Sequence, residues 1–477
     1  MNSEKTTTIP AIRSWLGIPY ATAKRFHKPV LLPFNPDLPY DQKGPAPLQA
    51  GDTSWLEADN GFSEDCLNLN VWAPEHAGGQ PLPVIVYIFG GGFELGSNTQ
   101  TTSNLSGLAA SGRCIGVSLN YRLGPFGWLS LSQYGGELAE ASNLGLQDII
   151  TALRWVQQNI ARFGGDPQNV TVTGHSAGAY CTTALIAARA ADGLYHRLAA
   201  FSGGASRIVP AWWAEELAIT FLTELGIADD PKQLFTLDAK LLAETLIRVS
   251  PRDIGDRHGI DNTTIGIVND HAQIGAVIED TPLHILESGH RHNVDILFST
   301  ATNEADWWVI NAIEKFDPGS IGNLVDELVK KSRIPRSHAQ RIVAAYDVNG
   351  RTPVEVRGAL FTDYFFTLPA ARAALAHAAA GGNAYLLSVG PAEGAQAVHG
   401  TEMYGIVGQV RPGQSNEQAT RDTFVRDTLL DFATGNYDRL WNAVTTKPIS
   451  HGIGNSPYEP TAHAVEVLRT FEGIERT

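Results

Sequence analysis

Short apolar runs alternate with longer amphipathic stretches through most of the chain. Leu82 to Phe89 (LPVIVYIF), Cys114 to Asn120 (CIGVSLN), Val170 to Thr173 and Leu198 to Phe201 are mostly β-branched and apolar, with Gly, Pro or Asn at their borders. Runs of this kind predict strands buried on both faces. Between the second and third, Leu146, Ile149, Ile150, Leu153, Val156, Ile160 and Phe163 recur at helical spacing until Gly164 and Gly165 interrupt them, which predicts a helix. Strand, helix and strand in that order imply an α/β fold, a large mostly parallel sheet with helices on both faces. From Trp212 to about Thr281 the pattern turns helical and acidic without obvious strands, and 310–380 is also read as helical. These stretches predict a lid or side region. Val294 to Phe298 and Ala384 to Val389 read as two later strands of the main sheet.

No internal repeat, low-complexity tract or long linker divides the 477 residues, so the expectation is a single domain over 1–477. With 43% hydrophobic and 18% charged residues the chain can bury a large core, which excludes disordered and fibrous classes. Lys+Arg 35 against Asp+Glu 50 gives a formal charge of -15, which argues against nucleic acid as a partner. Nowhere do 18 apolar residues follow one another, and the first residues, MNSEKTTTIPAIRSW, lack the basic start and apolar run of a signal peptide. Cys66, Cys114 and Cys181 lie in or beside apolar runs and cannot all pair. The expectation is therefore a soluble, cytoplasmic protein with reduced thiols, no membrane segment and no metal or cofactor, as a monomer or dimer.

The candidate chemistry begins at Gly174-His175-Ser176-Ala177-Gly178, a GxSxG pattern just after a strand and just before a helix of small residues. The bare pattern is weak evidence, but a sharp strand-to-helix turn needs glycine on both sides of a strained, outward-pointing serine. The alternative is a Gly-rich turn whose serine merely caps the helix. A serine hydroxyl is a poor nucleophile near neutral pH, so it needs a base and a carboxylate to orient that base. In this fold they follow the serine as acid, then histidine, on loops after later strands. The loop after Val294 to Phe298 offers Glu304 and Asp306, and the loop after Ala384 to Val389 ends at His399. A solvated carboxylate and a surface histidine are the bland readings of these positions. Phe89-Gly90-Gly91-Gly92-Phe93 directly follows a strand; glycines let backbone N–H groups approach a ligand, and two of them with the Ala177 N–H are candidates to hold an oxyanion. Neither a dinucleotide nor a Walker A pattern is present there. Phe93, Trp212, Trp213, Trp307 and Trp308 are candidate pocket residues, although aromatic residues at such positions are as often core.

Together these residues resemble the type-B carboxylesterase family, which includes bacterial para-nitrobenzyl esterases and the cholinesterases. The resemblance runs from Gly17-Ile18-Pro19-Tyr20-Ala21 through Ser63-Glu64-Asp65-Cys66-Leu67-Asn68-Leu69-Asn70-Val71-Trp72-Ala73-Pro74, where it is most specific. It continues through Asn120 to Gly127 (NYRLGPFG), Phe163 to Val170 (FGGDPQNV), Asp363 to Pro369 (DYFFTLP) and Asp431 to Gly435 (DFATG). It implies an α/β-hydrolase fold and hydrolysis of a small-molecule carboxylic ester, with Ser176 as nucleophile, Glu304 as acid and His399 as base. Gly91, Gly92 and Ala177 would supply the oxyanion N–H groups, and Arg25 and Glu64 would form a structural ion pair. Carbamate or amide hydrolysis by the same triad is the alternative reaction, and a catalytically inactive binding or scaffold member is the alternative class. Four features depart from the family pattern: His175 and Ala179 at the elbow, Phe89 before the glycines, Asn303-Glu304-Ala305 around the acid, and a shortened segment between Ala21 and Arg25. His175 is accordingly a further candidate substrate contact.

Overall fold

The computed structural model describes residues 11–75, 79–250, 265–273, 275–348 and 350–474. Strands β1 (Ile12–Pro19), β2 (Asn68–Pro74), β3 (Leu82–Ile88), β4 (Ile115–Leu119), β5 (Gly165–His175), β6 (Arg197–Phe201), β7 (Asp295–Ala301), β8 (Ala384–Val389) and β9 (Ser450–Ile453) form one nine-stranded sheet. Their order is β1-β2-β4-β3-β5-β6-β7-β8-β9. β2 runs antiparallel to β1 and β4, and every pairing from β4 to β9 is parallel. All six apolar runs singled out in the sequence are strands of this sheet. β4 and β8 are buried along their whole length, as a sheet covered on both faces requires.

Three strands carried no clear apolar signal. β2 (NLNVWAP) is fully buried, yet Asn68 and Asn70 interrupt its pattern. Their amides are committed: Asn68 Nδ2 donates to Pro45 O at 3.0 Å and Asn70 Nδ2 to Asn98 O at 3.0 Å. β1 is half-exposed, and β9 is a four-residue edge strand. The helical stripe forms the helix Leu144–Asn159 and a 3-10 turn over Ile160–Phe163, ending where Gly164 turns left-handed at φ 88. Its buried Asp148 accepts two hydrogen bonds from the buried Arg122 guanidinium, at 2.7 and 2.8 Å, tying the helix to the loop after β4.

Within the first helical stretch, helices span Ala211–Glu224 and Ala239–Val249, and residues 251–264 of the expected lid lie outside the described residues. The expectation of no strands is corrected there, because Ile208–Pro210 pairs in parallel with Ile267–Asn269; each segment is too short to register as a strand by pattern. In the second stretch, helices span Ile321–Ser332, Arg336–Tyr346 and Pro353–Thr362, and a π-helical turn over Asp363–Thr367 leads into Leu368–Ala379. These helices bury an apolar cluster of their own, including Phe316, Leu324, Ile342, Leu360 and Phe365, beside the larger core of the sheet. Arg25 pairs with Glu64, Nε to Oε2 at 2.8 Å, and its Nη1 also donates to the carbonyls of Leu234 and Leu237, so the ion pair clips the first loop to the segment ahead of the helix Ala239–Val249. Cys66, Cys114 and Cys181 are buried and unpaired. Among the described residues no helix is long and apolar enough to cross a membrane.

Candidate active site

Four consecutive parallel strands, β5 to β8, deliver their C-terminal ends to one rim, where an open α/β sheet places its ligands. Ser176 follows β5 directly and opens the helix Ala177–Ala184. Its backbone sits at φ 55, ψ -122, a region costly to residues with a side chain, and its N–H is anchored on Phe201 O at 3.0 Å. Both flanking glycines are required by contact. A Cβ on Gly174 would stand 2.4 Å from the carbonyl carbon of Gly178, and one on Gly178 would stand 2.0 Å from Ile88 O. The turn therefore packs backbone against backbone, and only glycine lets it close.

The glycine loop after β3 folds over this turn. A Cβ on Gly90 would stand 2.9 Å from Ser176 Cβ, while Gly91 and Gly92 take φ values of 124 and 66. No loop carbonyl engages the N–H groups of Gly91, Gly92 or Ala177 among the described residues.

Glu304 and His399 meet across the loops after β7 and β8. His399 Nδ1 lies 2.7 Å from Glu304 Oε2, the other carboxylate oxygen accepts from Ala301 N at 2.8 Å, and His399 N donates to Glu304 O at 3.2 Å. Glu304 is fully buried. Asp306 instead heads the helix Asp306–Asn311, accepts from Asn303 Nδ2 at 3.2 Å and faces a different cavity. The loop closes without the glycine the resemblance called for: Ala305 is right-handed at φ -74, and its N–H is held by Thr362 Oγ1 at 3.0 Å. Burial pushes the Glu304 carboxyl up to about 8. Burial, and then the nearby Arg207 cation, push His399 down to about 3. In each case the low-dielectric site disfavours charge.

Behind the pair lies Glu402, a fully buried carboxylate that the sequence reading did not assign. It accepts from Ser202 Oγ at 3.1 Å and Ser299 Oγ at 3.2 Å, and burial followed by the charge of Glu304 raises it to about 8. Only the pairing of β6, β7 and the loop after β8 brings these three residues together; they are far apart in the chain.

Ser176, His399, Gly91 and Gly92 line one cavity of about 370 Å³, with His175 and Trp307 also in its wall. His175, Trp308 and Phe366 surround the His399 ring at centroid distances of 4.7, 5.2 and 5.2 Å. Trp212, Trp213 and Phe93 are not brought to this wall. Trp212 is 53% exposed and stacks on Trp213 at 6.0 Å, on a helix that packs through its other face. Phe93 is buried against Trp128 at 4.7 Å. In their place stand Trp55, Phe89, Tyr180, Arg207, Phe365, Phe366 and Met403. Asp363 to Pro369 was a legible block, but its π-helical turn, which directs these phenylalanines, was not; such turns recur at functional sites. Among the described residues no three His, Cys, Asp or Glu side chains converge as a metal-ligand set.

The model of the carboxylesterase family matches residues 1–436. The para-nitrobenzyl esterase of Bacillus subtilis (strain 168) is 40% identical over 260 residues, which is 52% of this chain and 52% of that protein. Neuroligin-2 of Mus musculus is 30% identical over 460 residues, which is 83% of this chain and 53% of that protein. The matches thus span about half the length of these two curated relatives. A solved structure of a PNB esterase superposes with a TM-score of 0.79 at 28% identity, covering 97% of each chain. The fold is the α/β-hydrolase fold.

Proposed function

Because the chain belongs to the carboxylesterase family, we propose that it hydrolyses small-molecule carboxylic esters by two-step acyl transfer through Ser176, His399 and Glu304. The observation that carries this reading is the hydrogen bond from His399 Nδ1 to Glu304, with Ser176, His399 and the glycine loop in the wall of one cavity. That bond leaves Nε2 as the basic atom. His399 Nε2 takes the hydroxyl proton of Ser176 as Oγ bonds to the ester carbonyl carbon. The N–H groups of Gly91, Gly92 and Ala177 hold the resulting oxyanion. Collapse of this intermediate breaks the bond to the alcohol, which leaves with the proton from Nε2. Water then repeats the sequence on the acyl-enzyme: Nε2 takes its proton, its oxygen attacks, and Ser176 Oγ leaves with that proton as the acid is released. Glu304 holds the imidazole tautomer and stabilises the imidazolium that forms twice per cycle. Three buried thiols without a disulfide suit a reducing compartment, and a cytoplasmic location belongs to this proposal.

Hydrolysis of p-nitrophenyl butyrate and stoichiometric labelling by an organophosphate test the reading together. Ser176→Ala should lower kcat by about 10,000-fold or more and abolish labelling, while the melting temperature stays close to that of the parent. Turnover retained in the variant would overturn the assignment. A parent protein that neither turns over nor labels would instead be a binding member of the family.

A further inference from the structure

At about 370 Å³ the catalytic cavity lies near the small end of the range for ligand pockets, roughly 300–1,000 Å³, so an ester with a long arm outgrows it. The way out is marked by residues that both line the cavity and meet solvent. Trp55, from the chain ahead of β2, and Trp307, from the helix Asp306–Asn311, do so at 51% and 41% exposure. They stand at its mouth.

A continuous aromatic wall joins this mouth to the candidate base. The Trp308 ring lies 5.2 Å from that of His399, and the Trp307 ring lies 5.3 Å from that of Trp308. Beyond Trp307 the apolar surface continues on the outside of the molecule. Trp308 and Val309 pack inward on the apolar cluster of the helical region. Ile310, three residues on from Trp307 and so on the same helical face, is 63% exposed. Ile313, which opens the next short helix, Ile313–Phe316, is 50% exposed. Scattered single apolar residues are ordinary surface. Trp307, Ile310 and Ile313 instead form a ridge that begins in the cavity wall and ends outside it. Hydrocarbon laid along the ridge removes apolar area from water on both partners, and this contact is the same in the bound ester and in the transition state. It acts through KM.

We infer that the cavity selects esters with a long hydrocarbon arm, whose distal methylenes leave between Trp55 and Trp307 and lie along Ile310 and Ile313. This rests on the esterase reading above. The cavity itself takes the ester group and the shorter arm.

Steady-state kinetics below and above the concentration at which light scattering detects ester aggregates test this on two series. The p-nitrophenyl alkanoates from butanoate to decanoate lengthen the acyl side, and 4-alkylphenyl butyrates with butyl to decyl groups lengthen the alcohol side. Below aggregation, kcat/KM should rise by about twofold per methylene over the longer members of at least one series, with the gain in KM and kcat nearly constant. In the double variant Ile310→Asn/Ile313→Asn the rise should flatten, which lowers kcat/KM on the longest ester by about tenfold and on p-nitrophenyl butanoate by less than about twofold. Ile310→Leu/Ile313→Leu should keep the rise. Trp212→Asn, at a tryptophan as exposed as the ridge but off the cavity, should leave it unchanged. A flat or falling profile in both series of the parent would overturn the inference while leaving the esterase reading intact. Equal losses on short and long esters in the asparagine variant would also overturn it, by reducing the ridge to a structural role, and so would a rise that this variant retains. A rise confined to aggregated ester would assign the ridge to docking on a lipid surface and overturn it as well. Absence of turnover on every ester in the parent would defeat the esterase reading itself.

Discussion

The two sides of the cavity are built on different principles. On the sheet side, the serine turn and the glycine loop are fixed by backbone atoms in contact: a Cβ on Gly178 would meet Ile88 O at 2.0 Å, and one on Gly91 would meet Leu95 O at 2.1 Å. On the helical side, Trp307, Trp308, Phe365 and Phe366 form the wall by side-chain packing over an apolar cluster of their own. Backbone contacts of that closeness tolerate no added atom. Packed side chains exchange volume more gradually, because neighbours relax and residual space remains usable. On the proposed mechanism, the side that carries Ser176 is therefore the one closed by backbone contact, and the side that would shape the substrate is the adjustable one.

Substitutions on each side should separate these roles. The largest expected effect is at the acid: Glu304→Gln should lower kcat by about 10,000-fold by losing the imidazole tautomer, whereas Asp306→Asn, two residues away, should stay within about threefold. Comparable losses in the two variants would show that the site was assigned to the wrong carboxylate. Next, Gly178→Ala should lower the melting temperature by about 5 °C or more and remove most turnover, since the turn cannot accept a Cβ. A folded, active alanine variant would contradict the contact argument. On the helical wall, Trp307→Ala should alter KM by about three- to tenfold across acyl lengths, and Trp212→Ala, exposed and off the cavity, should change neither constant measurably. The smallest effect concerns proton affinity. In the proposed mechanism Glu304 acts as a carboxylate, and burial raises it, so kcat/KM should fall as pH drops through its titration near 8. In Glu402→Gln a neighbouring negative charge is gone, the ionised form of Glu304 is easier to hold, and the acid limb should move to lower pH by about half a unit. A shift upward would show that Glu402 acts on the pair by something other than its charge.

Where the sequence was silent, the causes are specific. Strand β2 was hidden because Asn68 and Asn70 break its apolar run, and their burial is acceptable only because loops at Pro45 and Asn98 accept their amide hydrogens. Trp212 and Trp213 were plausible wall residues by type, yet their helix turns Trp212 outward and packs Trp213 against Val209, Ala214 and Val268, away from the cavity. Glu402 sits three residues from His399, but nothing local marks it; Ser202 arrives from the end of β6 and Ser299 from within β7. Arg207 was equally unmarked, since a lone arginine after a strand carries no pattern.

The sequence by itself determined the α/β class, the six strands with continuous apolar runs, and the order of serine, acid and histidine along the chain. Those signals are local: burial on two faces demands unbroken apolar runs, and a backbone turn that excludes Cβ atoms demands glycine at fixed offsets. Only the tertiary structure set Glu304 rather than Asp306 against His399, placed a second carboxylate behind the first, and brought Arg207 to the cavity wall. Those choices depend on distances between loops from different strands, and such distances follow from sheet order and helix packing rather than from the spacing of residues along the chain.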